Sequence, residues 1–446
     1  MNSKNKSNPA PQSFNTADQA VDYLYSLQKF GIKFGLNSTQ NLLAGLGNPH
    51  VGQKYVHIAG SNGKGSVAAT LQTMLTAAGY RVGLYTSPHL VRFNERFRIG
   101  NTEISDAAIL DMTNALMKAM SSAEPPTFFE AVTAMALAYF KEQAVDLAIM
   151  ETGMGGRLDA TNVITPQVCT ITEISLEHQD LLGTTLNQIA FEKAGIIKPQ
   201  VPIITTARQP AALEVIEKRC HDLQAPLIRI GRDVRYRANR NHGFDYFGLE
   251  VQLRGLVPAL KGHHQFRNMA GALATAEVLK QQGWSLTQEH LVAGLTQVQW
   301  PCRLEKVLDD PPVYLDGAHN PAAAKVLAEE LKDLAAGRSL TLALGIMADK
   351  DKSGILRLLV PLADNLILTR TAYARAADPA DLAGLLPAGH HNVTIEPSLP
   401  QAIELAIRTA GDNGLAVITG SLFTVGEAKD YFSRRQLQPF EVYKKS

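Results

Sequence analysis

The chain has 446 residues, 45% of them hydrophobic, and a formal net charge of +1. At roughly 100–200 residues per domain, this length predicts two or three domains, and the even spread of charge leaves no basic block as a nucleic-acid footprint. Cys169, Cys220 and Cys302 lie far apart without metal-ligand spacing, which predicts free thiols in a reducing compartment.

Met1 to Ser13 is rich in Asn, Ser, Lys and Pro and lacks the apolar centre of a signal peptide, so residues 1–17 are expected to form a disordered tail. No apolar run approaches the roughly 18 residues of a membrane helix. A soluble cytoplasmic protein with no membrane partner is expected.

Tyr55-Val56-His57-Ile58 reads as a strand running into a glycine loop. Val67, Leu71, Met74, Leu75 and Ala78 then recur at helical spacing, and Gly79 marks the stop. Val82 to Tyr85, Val145 to Met150, Val168 to Thr172 and Pro202 to Thr205 read as further strands. Strands alternating with helices predict a parallel sheet covered on both faces. The less regular stretch from Ile228 to Leu260 predicts small antiparallel strands beside that sheet.

After Trp300-Pro301 the pattern restarts with a strand at Val313 to Asp316. The helix after it presents Ala323, Val326, Leu327, Leu331 and Leu334 on one face, and buried strands are predicted at Leu340 to Leu344, Leu366 to Thr369 and Ala416 to Thr419. The expected fold is α/β: a P-loop-containing parallel-sheet ATPase domain over residues 18–300, then a smaller Rossmann-like α/β domain over 301–446.

Chemistry enters at Ala59-Gly60-Ser61-Asn62-Gly63-Lys64-Gly65-Ser66. Glycines let successive N–H groups face one point, the following helix adds its positive dipole end, and the lysine adds a full charge. The arrangement suits a triphosphate better than it suits a plain glycine turn. The common loop of this kind has Ser or Thr directly after Lys, whereas here Gly65 precedes Ser66.

Ser87, Glu151 and His178 each follow a predicted strand, and ligands of open parallel sheets bind beyond the carboxyl ends of strands. They offer a hydroxyl, a carboxylate and an imidazole. A magnesium ion needs little more than one carboxylate and substrate phosphates.

The loop together with TSPHL (86–90), ETGMGGRLDATN (151–162), EHQDLLG (177–183), FEKAGIIKP (191–199) and DGAHNP (316–321) resembles the folylpolyglutamate synthase and dihydrofolate synthase family of the Mur ligase superfamily, in its bacterial bifunctional form. The resemblance runs from about Asp18 to about Glu427. It implies that Gly60, Ser61, Asn62, Gly63, Lys64, Gly65 and Ser66 hold the phosphates of ATP, and that Ser87, Glu151 and His178 bind Mg2+. Lys193 matches a lysine that can be carboxylated, Asn268 would help seat the adenine, and Arg303, Asp316 and His319 would close on the nucleotide from the second domain. His319 would orient phosphate or assist proton movement, so Lys64, Lys193 and His319 form the implied catalytic set. Thr127, Phe129, Asp159, Ala160 and Ser421 would contact the substrate.

The implied reaction joins L-glutamate to dihydropteroate or to a reduced folate through an acyl phosphate, and the implied assembly is a monomer. Cys302 stands where the family usually has Gly before the arginine, and is read as a small packing residue. A Mur-type ligase acting on a cell-wall nucleotide precursor usually carries a separate N-terminal domain, for which the early phosphate loop leaves no room. A nucleotide-dependent switch protein remains the alternative of a different class; phosphate release that depends on glutamate separates it from a ligase.

Overall fold

The computed structural model describes residues 13–31, 33, 35–120, 125–239, 243–386 and 392–436. The first sheet contains β1 (Tyr55–Ala59), β2 (Val82–Tyr85), β3 (Phe97–Ile99), β4 (Thr102–Glu103), β5 (Leu147–Glu151), β6 (Val168–Ile171), β7 (Ile203–Thr205) and β8 (Leu227–Arg229). Their order is β4-β3-β2-β5-β1-β6-β7-β8, parallel except for β3 and β4 at one edge. β1, β2, β5, β6 and β7 are buried at every residue, which is why they read as near-continuous apolar runs.

Alternate residues of β1 serve opposite faces. Val56 and Ile58 pack with Ala68 and Leu71 of the helix Lys64–Ala77 and with Leu273 of the helix His263–Gln281. Tyr55 packs on the other face with Leu137 of the helix Phe128–Glu142 and Leu116 of the helix Asp106–Ala119.

A small antiparallel sheet of β9 (Arg235–Ala238), β10 (Phe244–Phe247) and β11 (Gln252–Leu256) sits beside the large one. Buried Glu277 ties it to the helix His263–Gln281. Its carboxylate accepts the Tyr246 hydroxyl and the N–H groups of Leu249, Glu250 and Val251. The expectation of small strands from Ile228 onward needs one correction: Ile228 lies in β8, which pairs in parallel with β7 as the last strand of the large sheet.

The second sheet contains β12 (Glu305–Asp309), β13 (Pro312–Leu315), β14 (Ser339–Leu344), β15 (Asn365–Arg370), β16 (Val393–Ser398) and β17 (Gly414–Thr419), in the order β12-β13-β17-β14-β15-β16. Only β12 runs antiparallel. Polar contacts that join the two sheet units include Asn320 Nδ2, which donates to Asn62 Oδ1 at 3.0 Å, and His263 N–H, which donates to Glu330 Oε1 at 2.6 Å.

Residues 1–12 of the expected tail lie outside the described residues. The end of that stretch is ordered, which corrects the expectation there. Phe14 is buried against Tyr23, its N–H donates to Asn114 Oδ1 at 2.7 Å, and Thr16 caps the helix Ala17–Ser26. One apolar residue that finds a core outweighs a locally polar composition.

Candidate active site

β1 delivers the chain into the turn Gly60–Gly63, and the helix Lys64–Ala77 starts at once with no side-chain cap. Its first N–H groups are left for an anion. Gly63 has φ +91°, and a Cβ there would lie 2.5 Å from Asn268 Oδ1. A Cβ on Gly65 would lie 2.5 Å from the Trp300 ring. Both positions therefore demand glycine for space, and Gly63 also demands it for backbone angle.

Ser61 does not point at a ligand. Its hydroxyl donates to Ser175 O at 3.1 Å and accepts the Ser175 N–H at 3.0 Å, pinning the loop to the segment after β6. Asn62 Nδ2 donates to Ser175 Oγ at 3.2 Å. Lys64 curls back over the loop, with Nζ 3.0 Å from Gly60 O and 3.9 Å from Glu151 Oε1. Ser66 Oγ is buried without a protein partner, so the shift of one residue has not turned it away from the interior.

The carboxyl ends of β2 and β5 bring Ser87 and Glu151 together, and the backbone N–H of Ser87 donates to the Glu151 carboxylate. Burial pushes the Glu151 carboxyl up to about 7, with the Lys64 ammonium opposing. His178, at φ +46° at the head of the short helix Gln179–Leu182, lies on the other flank of the loop. Burial lowers its pKa, and the Lys350, Lys193 and Lys64 charges add to this. Among the described residues no group of three or more His, Cys, Asp or Glu gathers as a closed metal cluster.

Lys193, on the helix Leu186–Ala194, is buried, with Nζ 2.8 Å from Gly60 O and 2.8 Å from Glu177 Oε1. Burial lowers the ammonium's pKa, and the Lys193 charge holds Glu177 well below the usual carboxylate range although burial works the other way. Sequence reading gave Glu177 no role. A carboxylate one residue before a candidate ligand carried no separate signal.

The second sheet supplies the facing wall. Asp316, beyond β13, accepts the N–H groups of Leu304 at 2.9 Å and Ala318 at 3.0 Å, and so fixes the turn that carries Arg303. Arg303 lies between two left-handed residues, Cys302 at φ +57° and Leu304 at φ +49°. Cys302 is fully buried, in keeping with a packing role. His319 Nδ1 lies 2.9 Å from Gly317 O, an acceptor only, so Nδ1 carries the proton and Nε2 keeps its lone pair. Burial lowers the His319 pKa to about 4. A cleft of about 1230 Å³ separates the walls, lined by Gly65, Ser87, Glu151, Trp300 and Arg303 among others. Asn320 and Trp300 were not singled out from sequence, because their contacts are made only in three dimensions.

The expected substrate residues divide. The Phe129 ring lies against Gly153 and 6.1 Å from the Tyr85 ring, on the active-site side of β5. Ala160 is buried in the turn Ala160–Val163. Three others spend their polar atoms internally. Thr127 forms a capping box with Glu130 at the start of the helix Phe128–Glu142. Asp159 accepts Gly153 N–H and Met154 N–H on Oδ2 and both donors of Thr161 on Oδ1. Ser421 Oγ accepts Thr424 N–H at 2.9 Å at the head of the helix Leu422–Gln436. Phe128 stacks on Tyr25 with centroids 5.5 Å apart, and the Arg96 guanidinium carbon lies over the Phe128 ring, 5.2 Å from its centroid. Sequence reading also missed the buried chain in which Arg96 Nε donates to His89 Nδ1 at 2.9 Å and His89 Nε2 meets the Tyr25 hydroxyl at 3.2 Å.

Residues 58–276 match the Mur ligase middle domain, and residues 302–422 match the Mur ligase, glutamate ligase domain. The dihydrofolate synthase/folylpolyglutamate synthase of Bacillus subtilis is 35% identical over 428 residues, covering 93% of this chain and 99% of that protein. The folylpolyglutamate synthase of Lacticaseibacillus casei is 36% identical, covering 91% of this chain and 96% of that one. The structure of E. coli FolC in complex with DHPP and ADP superposes with a TM-score of 0.87 at 30% identity, covering 96% of this chain and 100% of that chain. With an uncapped helix behind a lysine-bearing phosphate loop and a second sheet closing over it, this chain belongs to the folylpolyglutamate synthase/dihydrofolate synthase family of Mur ligases.

Proposed function

We infer that the protein is an ATP-dependent ligase that adds L-glutamate to dihydropteroate and to reduced folates. One observation carries the reading: the phosphate loop meets Glu151 from an adjacent strand on one side and Asn320 of the second sheet unit, 3.0 Å from Asn62, on the other. A nucleotide bound there has its phosphates between two walls and beside a carboxylate that can bear a cation. The relatives' names and the DHPP bound in the FolC complex support the choice of substrates. Residues 18–300 would form the nucleotide half and 301–446 the half that admits the amino acid.

In the first step a carboxylate oxygen of the folate attacks the γ-phosphorus of ATP, the bond to the β-phosphate oxygen breaks, and ADP departs. The free N–H groups at Lys64–Ser66 and the Lys64 ammonium face the charge that spreads over the transferring oxygens. In the second step the glutamate amine attacks the acyl carbon, the carbon–oxygen bond breaks, inorganic phosphate leaves, and the amine proton passes to a base or to water. The His319 Nε2 lone pair is available for that proton. Enclosure between the walls protects the acyl phosphate from hydrolysis.

The donors fit magnesium. Glu151 and Ser87 are hard oxygen ligands with His178 on the far flank, and the unpartnered Ser66 hydroxyl lies inside the same loop. When bound, the ion neutralises charge on the phosphates. Carboxylated Lys193 fits less well. Gly60 O and Glu177 Oε1 are acceptors, which suit an ammonium and oppose a carbamate, so no step is assigned to that group.

Purified protein with ATP, magnesium and glutamate tests the reading. Amide product from both dihydropteroate and tetrahydrofolate is expected. Product from one alone would remove the bifunctional assignment, and ATP turnover independent of glutamate would remove the ligase assignment.

A further inference from the structure

Arg96 carries a charge that the steps above do not use. It ends the short turn Phe93–Arg96 directly before β3 and is 6% exposed. Its Nε donates to His89 Nδ1 at 2.9 Å. The guanidinium carbon lies over the Phe128 and Phe93 rings, 5.2 Å and 6.0 Å from their centroids. Nη1 and Nη2 donate to no acceptor among the described residues. Neither is sealed from solvent, so both open onto free space beside the two rings.

A guanidinium keeps its charge even where burial lowers its pKa, as it does here. Among the described residues no carboxylate is bonded to it. The adjacent Glu95 carboxylate accepts the N–H groups of Leu90, Val91 and Arg92 instead. Glu151 faces Lys64 at 3.9 Å and accepts the Ser87 N–H. Burial and the Arg96 charge push His89 down to about 3, so its ring is neutral and offers a lone pair without a countercharge. Buried charges are otherwise paired, and the anion that completes this one must come from a ligand.

The sheet order locates the charge. Along the rim formed by β3, β2, β5 and β1 stand Arg96, Ser87, Glu151 and the phosphate loop, in that sequence. Thr86 N–H donates to Arg96 O at 3.2 Å, which fastens the arginine beside Ser87. At about 4.8 Å per strand, about 14 Å separate the start of β3 from the end of β1, so Arg96 is set apart from the nucleotide phosphates. A substrate carboxylate that attacks the γ-phosphorus comes to the middle of this row. Dihydropteroate has that one carboxylate. A reduced folate ends in glutamate: its γ-carboxylate reacts, and its α-carboxylate, separated from the first by three carbons, does not. A guanidinium fork matches a carboxylate with two parallel bonds.

We propose that Nη1 and Nη2 of Arg96 receive the α-carboxylate of the folate's terminal glutamate, so that Arg96 serves the folate reaction and not the dihydropteroate reaction. The assignment rests on the ligase reading above.

The test measures amide formation by wild type, Arg96→Gln and Arg96→Lys in the full chain, with ATP, magnesium and glutamate held constant. Dihydropteroate, tetrahydrofolate and the α-carboxamide of tetrahydrofolate are varied in turn. In wild type the KM for the α-amide is expected to lie about tenfold above that for tetrahydrofolate. Arg96→Gln should raise the tetrahydrofolate KM about tenfold and leave the KM values for dihydropteroate and the α-amide within about twofold. Arg96→Lys keeps the charge and loses the fork, so its tetrahydrofolate KM should fall between the two. An equal rise for all three substrates would assign Arg96 to packing and overturn the proposal. Equal KM values for tetrahydrofolate and its α-amide in wild type would overturn it too, and that comparison holds even if a substitution unfolds the chain. Wild-type product from dihydropteroate alone would also overturn it. Absence of any glutamate-dependent product in wild type would instead overturn the ligase reading itself, and this assignment with it.

Discussion

Lys193 Nζ is shared between the Glu177 carboxylate and the Gly60 carbonyl, each 2.8 Å away, so one buried ammonium holds the start of the phosphate loop to the segment that bears His178. Lys193→Met removes that tie and strands Glu177 as a buried unpaired carboxylate. A loss of about 3–5 kcal/mol in unfolding free energy is expected from denaturant titration. The double variant Lys193→Met/Glu177→Gln should recover part of that stability without restoring nucleotide turnover. Full stability in the single variant would show that the pair bears no strain of burial.

Gly65→Ala places a methyl where the Trp300 ring stands, 2.5 Å away. The ring and the loop must part. ADP affinity measured by calorimetry should fall by at least about tenfold, an effect of about 1.4 kcal/mol. Since the chain has only two tryptophans, the emission spectrum should shift as well. Unchanged affinity would separate Trp300 from the nucleotide site.

Asn320 does two things: its Oδ1 accepts Ala323 N–H at 2.8 Å as a helix cap, and its Nδ2 donates to Asn62. Asn320→Asp keeps the cap and loses the donor. Stability should stay within about 0.5 kcal/mol of wild type while kcat falls. Asn320→Ala should lose both, with about 1 kcal/mol of stability gone. Equal kcat in the Asp variant and wild type would show that the contact between the walls does not serve turnover.

His57 is fully buried in β1, where burial and then the Lys198 charge lower its pKa to about 3. The unfolded chain binds this proton from about pH 6.5 downward, and the folded chain does not. The stabilising contribution is therefore complete above pH 6.5 and is lost as pH falls toward 3. About 1 kcal/mol per pH unit should disappear over that window in urea titrations. In His57→Gln this component of the slope should be absent. Identical pH profiles would refute the assignment to His57.

The strands that bear the site were legible because they are buried on both faces: β2 begins and ends where its apolar run does. β12 and β16 escaped notice because they are edge strands with exposed, polar residues such as Lys306 and Thr394. β8 escaped for a similar reason, being only partly buried. At the site, the phosphate loop could be read from its own spacing, since consecutive residues make it. Glu177 and Asn320 could not, because each acquires meaning from a partner distant in sequence. Asp159 and Ser421 show the converse. Residues that a motif marks for a substrate can be occupied by the N–H groups of their own turn.

The closeness of Gly63 to Asn268 and of Gly65 to Trp300 has a genetic corollary. Those two side chains act as the mould around the loop, so an enlarged loop residue and a reduced mould residue are complementary lesions. Trp300→Ala should act as a second-site suppressor of Gly65→Ala, and Asn268→Ala should suppress a small replacement at Gly63 only poorly, since φ +91° there remains strained whatever space is made. A selection for growth without supplied folate end products would then return revertants at position 300 for one lesion and true back-mutants for the other.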